Sequence, residues 1–266
     1  MEVKLIDSNL DYKLNDNFDI SLISELPFLT VEMNVHKSCD VTLNIENKNE
    51  NKLVFIINLD DNVTLNLNEI KKGTKLKYQS KINLNNSTIN ITKLNDLESI
   101  NECSLINLNK ENATINYILK TVSKNMEKYD ININHNASNT NSNIVTNGLN
   151  IEKGKLNITV TTIVNNGKVK CTANQTNRII NLTLNNCKIR PNLLIEEQDV
   201  IANHSALIGN FSDEELFYIK RLGINHNDTL NLLIKGFLQN NIPESLSEQL
   251  FSKYWRGLWI AKIFWC

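Results

Sequence analysis

The chain has 266 residues, with 28 Lys and Arg against 29 Asp and Glu, and a formal net charge of −1. The two signs are interspersed, which excludes the basic footprint of a nucleic-acid binder and a polybasic membrane patch. At this length it can form one large domain, or a repetitive body with a small appended domain.

Asparagine occurs 47 times, whereas Gly (8) and Pro (3) are scarce. The asparagines alternate with Ile, Leu and Val, so they read as the outward rows of strands and not as a low-complexity tract. The first residues, Met1 to Asp7, contain no apolar signal core, and no stretch approaches membrane-spanning length. A cytoplasmic protein with no integral membrane segment is therefore expected. Five cysteines, Cys39, Cys103, Cys171, Cys187 and Cys266, are widely spread and show no C-x-x-C spacing. That argues against a disulfide framework and against a self-contained zinc or four-cysteine cluster site. Cys39 and Cys171 share parity with apolar neighbours and read as small buried hydrophobes.

From Phe28 to Leu207 the dominant signal is period two. Val41 to Ile45, Val63 to Leu67, Ile82 to Leu84, Ile89 to Ile91 and Leu156 to Val160 alternate apolar with polar, the pattern of strands with one buried face. Turn chemistry recurs at Asp60 to Asn62, Lys71 to Gly73, Asn85 to Ser87 and Asn165 to Gly167. So many short strands fit a sandwich or a solenoid. The recurrence of similar units, with only two Asn-Gly pairs of the tight-hairpin kind (Asn147-Gly148 and Asn166-Gly167), favours a β-solenoid.

After Gly209 the period changes. Ser212 to Glu215 is a capping box, predicting a helix through Ile219 with Gly223 at C′. Asn225 to Asp228 offers N-caps for a second helix through Leu230, Leu233, Ile234 and Phe237. Pro243 starts a third, through Leu246 and Leu250. These helices are too apolar to stand alone and are expected to pack on the solenoid end, on a partner, or on both. All three tryptophans lie in the tail from Lys253 to Cys266, which is too short and charged to span a bilayer. It suits an interfacial or partner-binding segment, or a cover for the helices.

No Gly-rich phosphate loop, H-E-x-x-H or G-x-S-x-G is present, so nucleotide binding or hydrolysis by this chain itself is not expected. His204 stands beside Asn203 and Ser205 at an expected strand end, and imidazole binds borderline metals such as iron. On spacing alone, a histidine with no nearby Cys or second His is an ordinary polar residue. His36 is expected on a solvated face, His135 partly buried and His226 in a helix cap. Glu196, Glu197 and Asp199 just before His204 read as a charged turn.

Lys188 to Leu238 nevertheless resembles the SufB/SufD family of iron–sulfur cluster assembly scaffolds, and SufD more than SufB. The likeness lies in the Pro-x-Leu-x-Ile-acidic-acidic run from Pro191 to Glu197 and the Asp-Val…His…Gly run from Asp199 to Gly209. It continues through Glu215 to Tyr218, Arg221 to Ile224 and the apolar helix ending Gly236-Phe237. Ser205 follows His204 where SufB carries Glu, and Ala202 stands where some SufD members carry Cys.

The resemblance implies a mainly β fold: a right-handed parallel β-helix over residues 1–210, then a small helical domain over 211–266. It implies a non-enzymatic scaffold subunit that pairs through its last coils with a SufB-like paralogue, or with itself. The helices, within residues 212–250, would dock a SufC-like ABC-type ATPase through Glu214, Glu215, Phe217, Tyr218 and Arg221. ATP hydrolysis would belong to that partner, and no nucleotide would bind this chain. His204 becomes a candidate ligand for iron or a transient iron–sulfur cluster at the shared interface. Two departures from the family accompany this: the β-pattern begins almost at once, without the N-terminal helical domain of SufD, and the aromatic tail does not match. The alternative is a β-solenoid used purely for binding.

Overall fold

The computed structural model describes residues 27–240, the single positions Ile242 and Leu246, and the backbone of three short strands, Glu2–Leu5 (β1), Leu10–Tyr12 (β2) and Asn17–Leu22 (β3). The expected third helix and the aromatic tail lie outside the described residues, apart from Leu246. Twelve further strands follow: Phe28–Val35 (β4), Cys39–Asn47 (β5), Asn51–Leu59 (β6), Thr64–Leu84 (β7), Thr88–Leu108 (β8), Thr114–Ser123 (β9), Met126–His135 (β10), Asn141–Asn150 (β11), Lys155–Val164 (β12), Cys171–Asn181 (β13), Lys188–Ile195 (β14) and Val200–Gly209 (β15). Two helices close the order, Asp213–Lys220 (α1) and His226–Gln239 (α2).

Apart from the antiparallel pairing of β1 with β2 and β4, every ladder is parallel, and the chain winds as a β-solenoid. One wall stacks β3, β5, the first half of β7, the first half of β8, β9, β11, β13 and β15. The other stacks β4, β6, the second halves of β7 and β8, β10, β12 and β14. β7 and β8 run through both walls, and β7 turns its corner at Gly73, where φ is +116°. A side chain there would run into the Asn47 carbonyl, so glycine is required.

The period-two pattern is realised strand by strand: β6 alternates buried and half-buried over its whole length. Val, Ile and Leu fill the inside and form one continuous core from Leu29 to Ile179. The outward asparagines do more than occupy solvent positions. Asn58 donates to Asn34 at 2.8 Å, Asn83 to Asn58 at 2.7 Å, Asn107 to Asn83 at 2.9 Å and Asn134 to Asn107 at 3.0 Å. A second ladder climbs the other wall from Asp40 through Asn66 and Asn90 to Asn116, at 2.6 to 2.8 Å. Each amide donates one way along the stack and accepts from the other, so parallel coils 24 to 27 residues apart are held in register.

Two turn-type sequences lie within strands. Asn147-Gly148 lies inside β11, where Gly148 lets the Leu156 side chain approach the backbone. Lys71 to Gly73 does turn the chain, as the corner at Gly73 within β7, but Lys71 is fully buried. Inside the middle coils Lys71 meets Glu69 at 2.7 Å and Glu102 at 3.4 Å, while Lys93 meets Glu102 at 2.7 Å and Glu69 at 3.3 Å. The Tyr78 and Tyr117 rings pack against these ammonium groups. Burial pushes the Glu102 carboxyl up, but Lys71 and Lys93 outweigh it and bring it to about 2. Burial likewise disfavours the Lys93 charge, yet Glu102 and Glu69 hold its pKa well above the usual lysine value.

The helical segment starts as expected. The Ser212 side chain accepts from the Glu215 amide, and the Glu215 side chain accepts from the Ser212 amide. Asn225 caps α2. α1 is C-capped at Arg221, so Gly223, at φ +80°, falls one residue beyond the expected C′ position. α2 buries Leu230, Ile234, Phe237 and Leu238 against Val122, Leu149, Ile151 and Ile180 of the solenoid. Lys120 Nζ and Asn147 Nδ2 both donate to the Phe237 carbonyl, at 3.4 and 3.2 Å. No described helix is long and apolar enough to cross a membrane.

Candidate functional site

His204 lies in the middle of β15, not at a strand end. Its register partner is Gln175 of β13, a buried, inward-facing residue. Facing direction is kept between register partners, so the imidazole belongs to the inner row of the solenoid together with Ala202, Ala206 and Ile208. It is exposed all the same, because β15 pairs only with β13 and β14 only with β12 among the described residues. The last coil is an open mouth.

On the outer face of this coil, in register with the outward residues Ile163, Thr172 and Arg178, Leu194, Ile201 and Leu207 are 52%, 62% and 54% exposed, a concentration that the closed coils do not show, and Ile208 of the inner row is 41% exposed. Among the described residues each of these two terminal strands has one unpaired edge. Two buried side-chain amides support this coil from beneath. Gln175 donates to Thr162 Oγ1 at 2.9 Å and to the Asn192 carbonyl of β14 at 3.2 Å. Asn177 donates at 3.2 Å to the carbonyl of Ser205, next to His204. The imidazole is thereby presented on a braced strand.

The neighbouring acidic residues have a structural task. Glu197 accepts from the Gly167, Gln198 and Asp199 amides, which hold its carboxyl below the usual range and fix the turn from β14 to β15. Cys187, at the entry to β14, packs half-buried against the core, and burial pushes its thiol up. Its protonated form is thus favoured, which argues against a ready thiolate ligand. Among the described residues no three of His, Cys, Asp and Glu converge to hold a metal ion. The remaining histidines are accounted for: His36 pairs with Asp60 at 2.7 Å on the surface, and His226 opens α2. His135 is buried between Thr140 and Ser142, and its pKa is lowered by burial to about 4.

On α1 the expected contact residues divide. Glu214, Phe217, Tyr218 and Arg221 are exposed, and Phe217 and Tyr218 are 63% and 68% open to solvent. Arg221 lies over the Phe217 ring at 5.8 Å, and Leu222 extends the apolar surface. Glu215, in contrast, is engaged within the chain by the Ser212 amide and by Arg178 of β13. Partial burial pushes its carboxyl up, but that amide and the guanidinium more than reverse the effect.

The described residues thus form a solenoid with an open last coil, a histidine in its inner row and a helix presenting exposed aromatics. The family model for the SufBD core domain of the SUF system for FeS cluster assembly matches residues 29–237. The chain belongs to that family. Similar proteins include SufD of Bacillus subtilis, 34% identical over 94 residues that cover 34% of this chain and 22% of SufD. A SufBD-family iron–sulfur cluster assembly protein of Mycobacterium leprae is 29% identical over 111 residues, 40% of this chain and 12% of that protein. A second SufBD-family protein of the same organism is 42% identical over 48 residues, 18% of this chain and 12% of its own length. The matched stretches thus span under a quarter of the relatives' own length.

Proposed function

We propose that this SufBD-family chain is a SufD-like, non-catalytic scaffold subunit in cytoplasmic iron–sulfur cluster assembly. The observation that carries the reading is the open last coil with His204 in its inner row. An edge strand flanked by exposed Ile201 and Leu207 favours continuation of both walls by a like solenoid, a SufB-like paralogue or a second copy. His204 then lies at the seam. One imidazole supplies one ligand to iron or a nascent cluster, and the partner's side chains supply the others. The cluster is cargo, formed at the seam and passed on.

The second element of the reading is α1. Phe217, Tyr218 and Leu222 give rigid apolar anchors, and Glu214 and Arg221 flank them with charge, a composition suited to a protein contact. The occupant proposed is a SufC-like ABC-type ATPase, which would carry out all nucleotide chemistry. Residues 1–210 then serve as the pairing body and 211–266 as the docking unit.

His204→Ala tests the ligand role. Its exposed side chain is not needed for packing, so stability should change by less than about 0.5 kcal/mol and partner binding should persist. Anaerobic reconstitution followed by the visible absorption of the cluster should fall at least several-fold. Normal reconstitution by the variant would remove His204 from the site.

A further inference from the structure

β15 ends at Gly209 and α1 begins at Asp213, so the strand bearing His204 runs almost directly into the exposed helix. α1 buries none of its own residues. Its polar tie to the solenoid among the described residues is Glu215, whose Oε1 and Oε2 lie 3.3 and 3.5 Å from Arg178 Nη2. Arg178 belongs to β13, the neighbour of β15, and its register partner there is Leu207. The chain therefore leaves β15, turns through α1 and is fastened back beside the ladder that holds β15.

We propose that the Glu215–Arg178 pair is a clasp on the His204 strand, and that a cationic group of a partner gripping α1 opens it by taking Glu215. The clasp is only half made. Its contacts are longer than the roughly 2.7–2.9 Å of a well-formed charge-assisted bond. Glu215 Oε2 already accepts from the Ser212 amide at 2.7 Å. Arg178 Nε is buried without a partner, and its guanidinium retains the Phe237 ring at 5.5 Å when the carboxylate leaves. A cleft of about 810 Å³ bounded by Arg178, Glu215, Leu232 and Phe237 gives α1 room to shift. On the inside, Asn177 still holds Ser205, so opening loosens β15 without releasing it. The clasp is a property of the chain alone, whereas its opening by a partner rests on the docking reading above.

Hydrogen exchange read by mass spectrometry on the full chain tests this with Glu215→Gln and Arg178→Met. Gln at N3 keeps the capping box, so the first variant removes the clasp and not the helix start. A part-exposed ion pair of this kind should protect β15 amides about two- to five-fold. Both variants should therefore exchange faster by that factor over residues 203–208. β14, equally open but unclasped, should be unchanged, and the double variant should match the single ones. Unchanged β15, or additive effects, would overturn the clasp. Saturating wild type with an ABC-type ATPase should accelerate β15 as the variants do. Binding without that acceleration would overturn the opening, and no binding at all would overturn the docking reading while leaving the clasp intact.

Discussion

The middle coils and the last coil of this solenoid are built from the same strand pattern and end in opposite states. In the middle, Glu69, Lys71, Lys93 and Glu102 are sealed inside with every charge matched, and asparagine ladders lock the outside. At the end, the inner row opens to solvent, the edges are unpaired among the described residues, and apolar side chains of the outer face are uncovered. A repeat architecture makes the difference inevitable, since each coil is covered only by its neighbours. Among the described residues the middle coils are covered on both sides, and the last coil is covered on one.

The comparison can be broken most forcefully in the middle. Glu102→Ala leaves two buried ammonium groups sharing Glu69, and should cost about 3–5 kcal/mol in urea unfolding. A loss below about 1 kcal/mol would mean that the interior admits water and is not sealed.

Proton linkage probes the same interior. Burial raises the Glu127 carboxyl to about 7 despite hydrogen bonds from Thr121 and Tyr129, and lowers His135 to about 4. For Glu127 the folded value lies above the unfolded one, so its contribution is lost as pH rises from about 4.5 through about 7. For His135 the folded value lies below, so its contribution is lost as pH falls from about 6.5 through about 4. Between about pH 4.5 and 6.5 the two slopes oppose each other. Glu127→Gln removes one of them, and its stability should rise across that window relative to wild type by on the order of 2–3 kcal/mol. Parallel pH profiles for the two proteins would contradict the burial of Glu127.

Much of this was readable in the sequence, and the failures have physical causes. Period two gave the strands, because inside and outside alternate along every coil. The ladders were hidden because their partners stand 24 to 27 residues apart in sequence, so alternation with Ile and Leu accounts for the asparagines equally well without them. Lys71 to Gly73 was legible as a turn, and Gly73 does turn the corner of β7, but the burial of Lys71 was not legible. The pairing of Lys71 and Lys93 with both Glu69 and Glu102 makes the buried lysines tolerable. His204 gave no signal by spacing and stood out through the resemblance of its run. Its inner-row facing emerged only with the register against Gln175. Glu215 was legible as a helix cap, but Arg178, on a distant strand, was not.

Smaller effects sharpen the contrast between the regions. Asn83→Ala or Asn107→Ala interrupts a ladder and leaves one amide oxygen and one donor unmatched, a loss of about 1 kcal/mol by chemical denaturation. At the open coil, Ile201→Lys combined with Leu207→Lys should change monomer stability by less than about 0.5 kcal/mol while abolishing association with a solenoid partner in sedimentation. Stable association of that variant would place the pairing surface elsewhere.

The most direct test of the central claim is anaerobic affinity purification of the chain from its native cells, with mass spectrometry of what accompanies it. Co-recovery of an ABC-type ATPase and a SufB-like paralogue, with the paralogue lost from the Ile201→Lys, Leu207→Lys variant, is the predicted result. Purification of the chain with neither protein would contradict the scaffold reading.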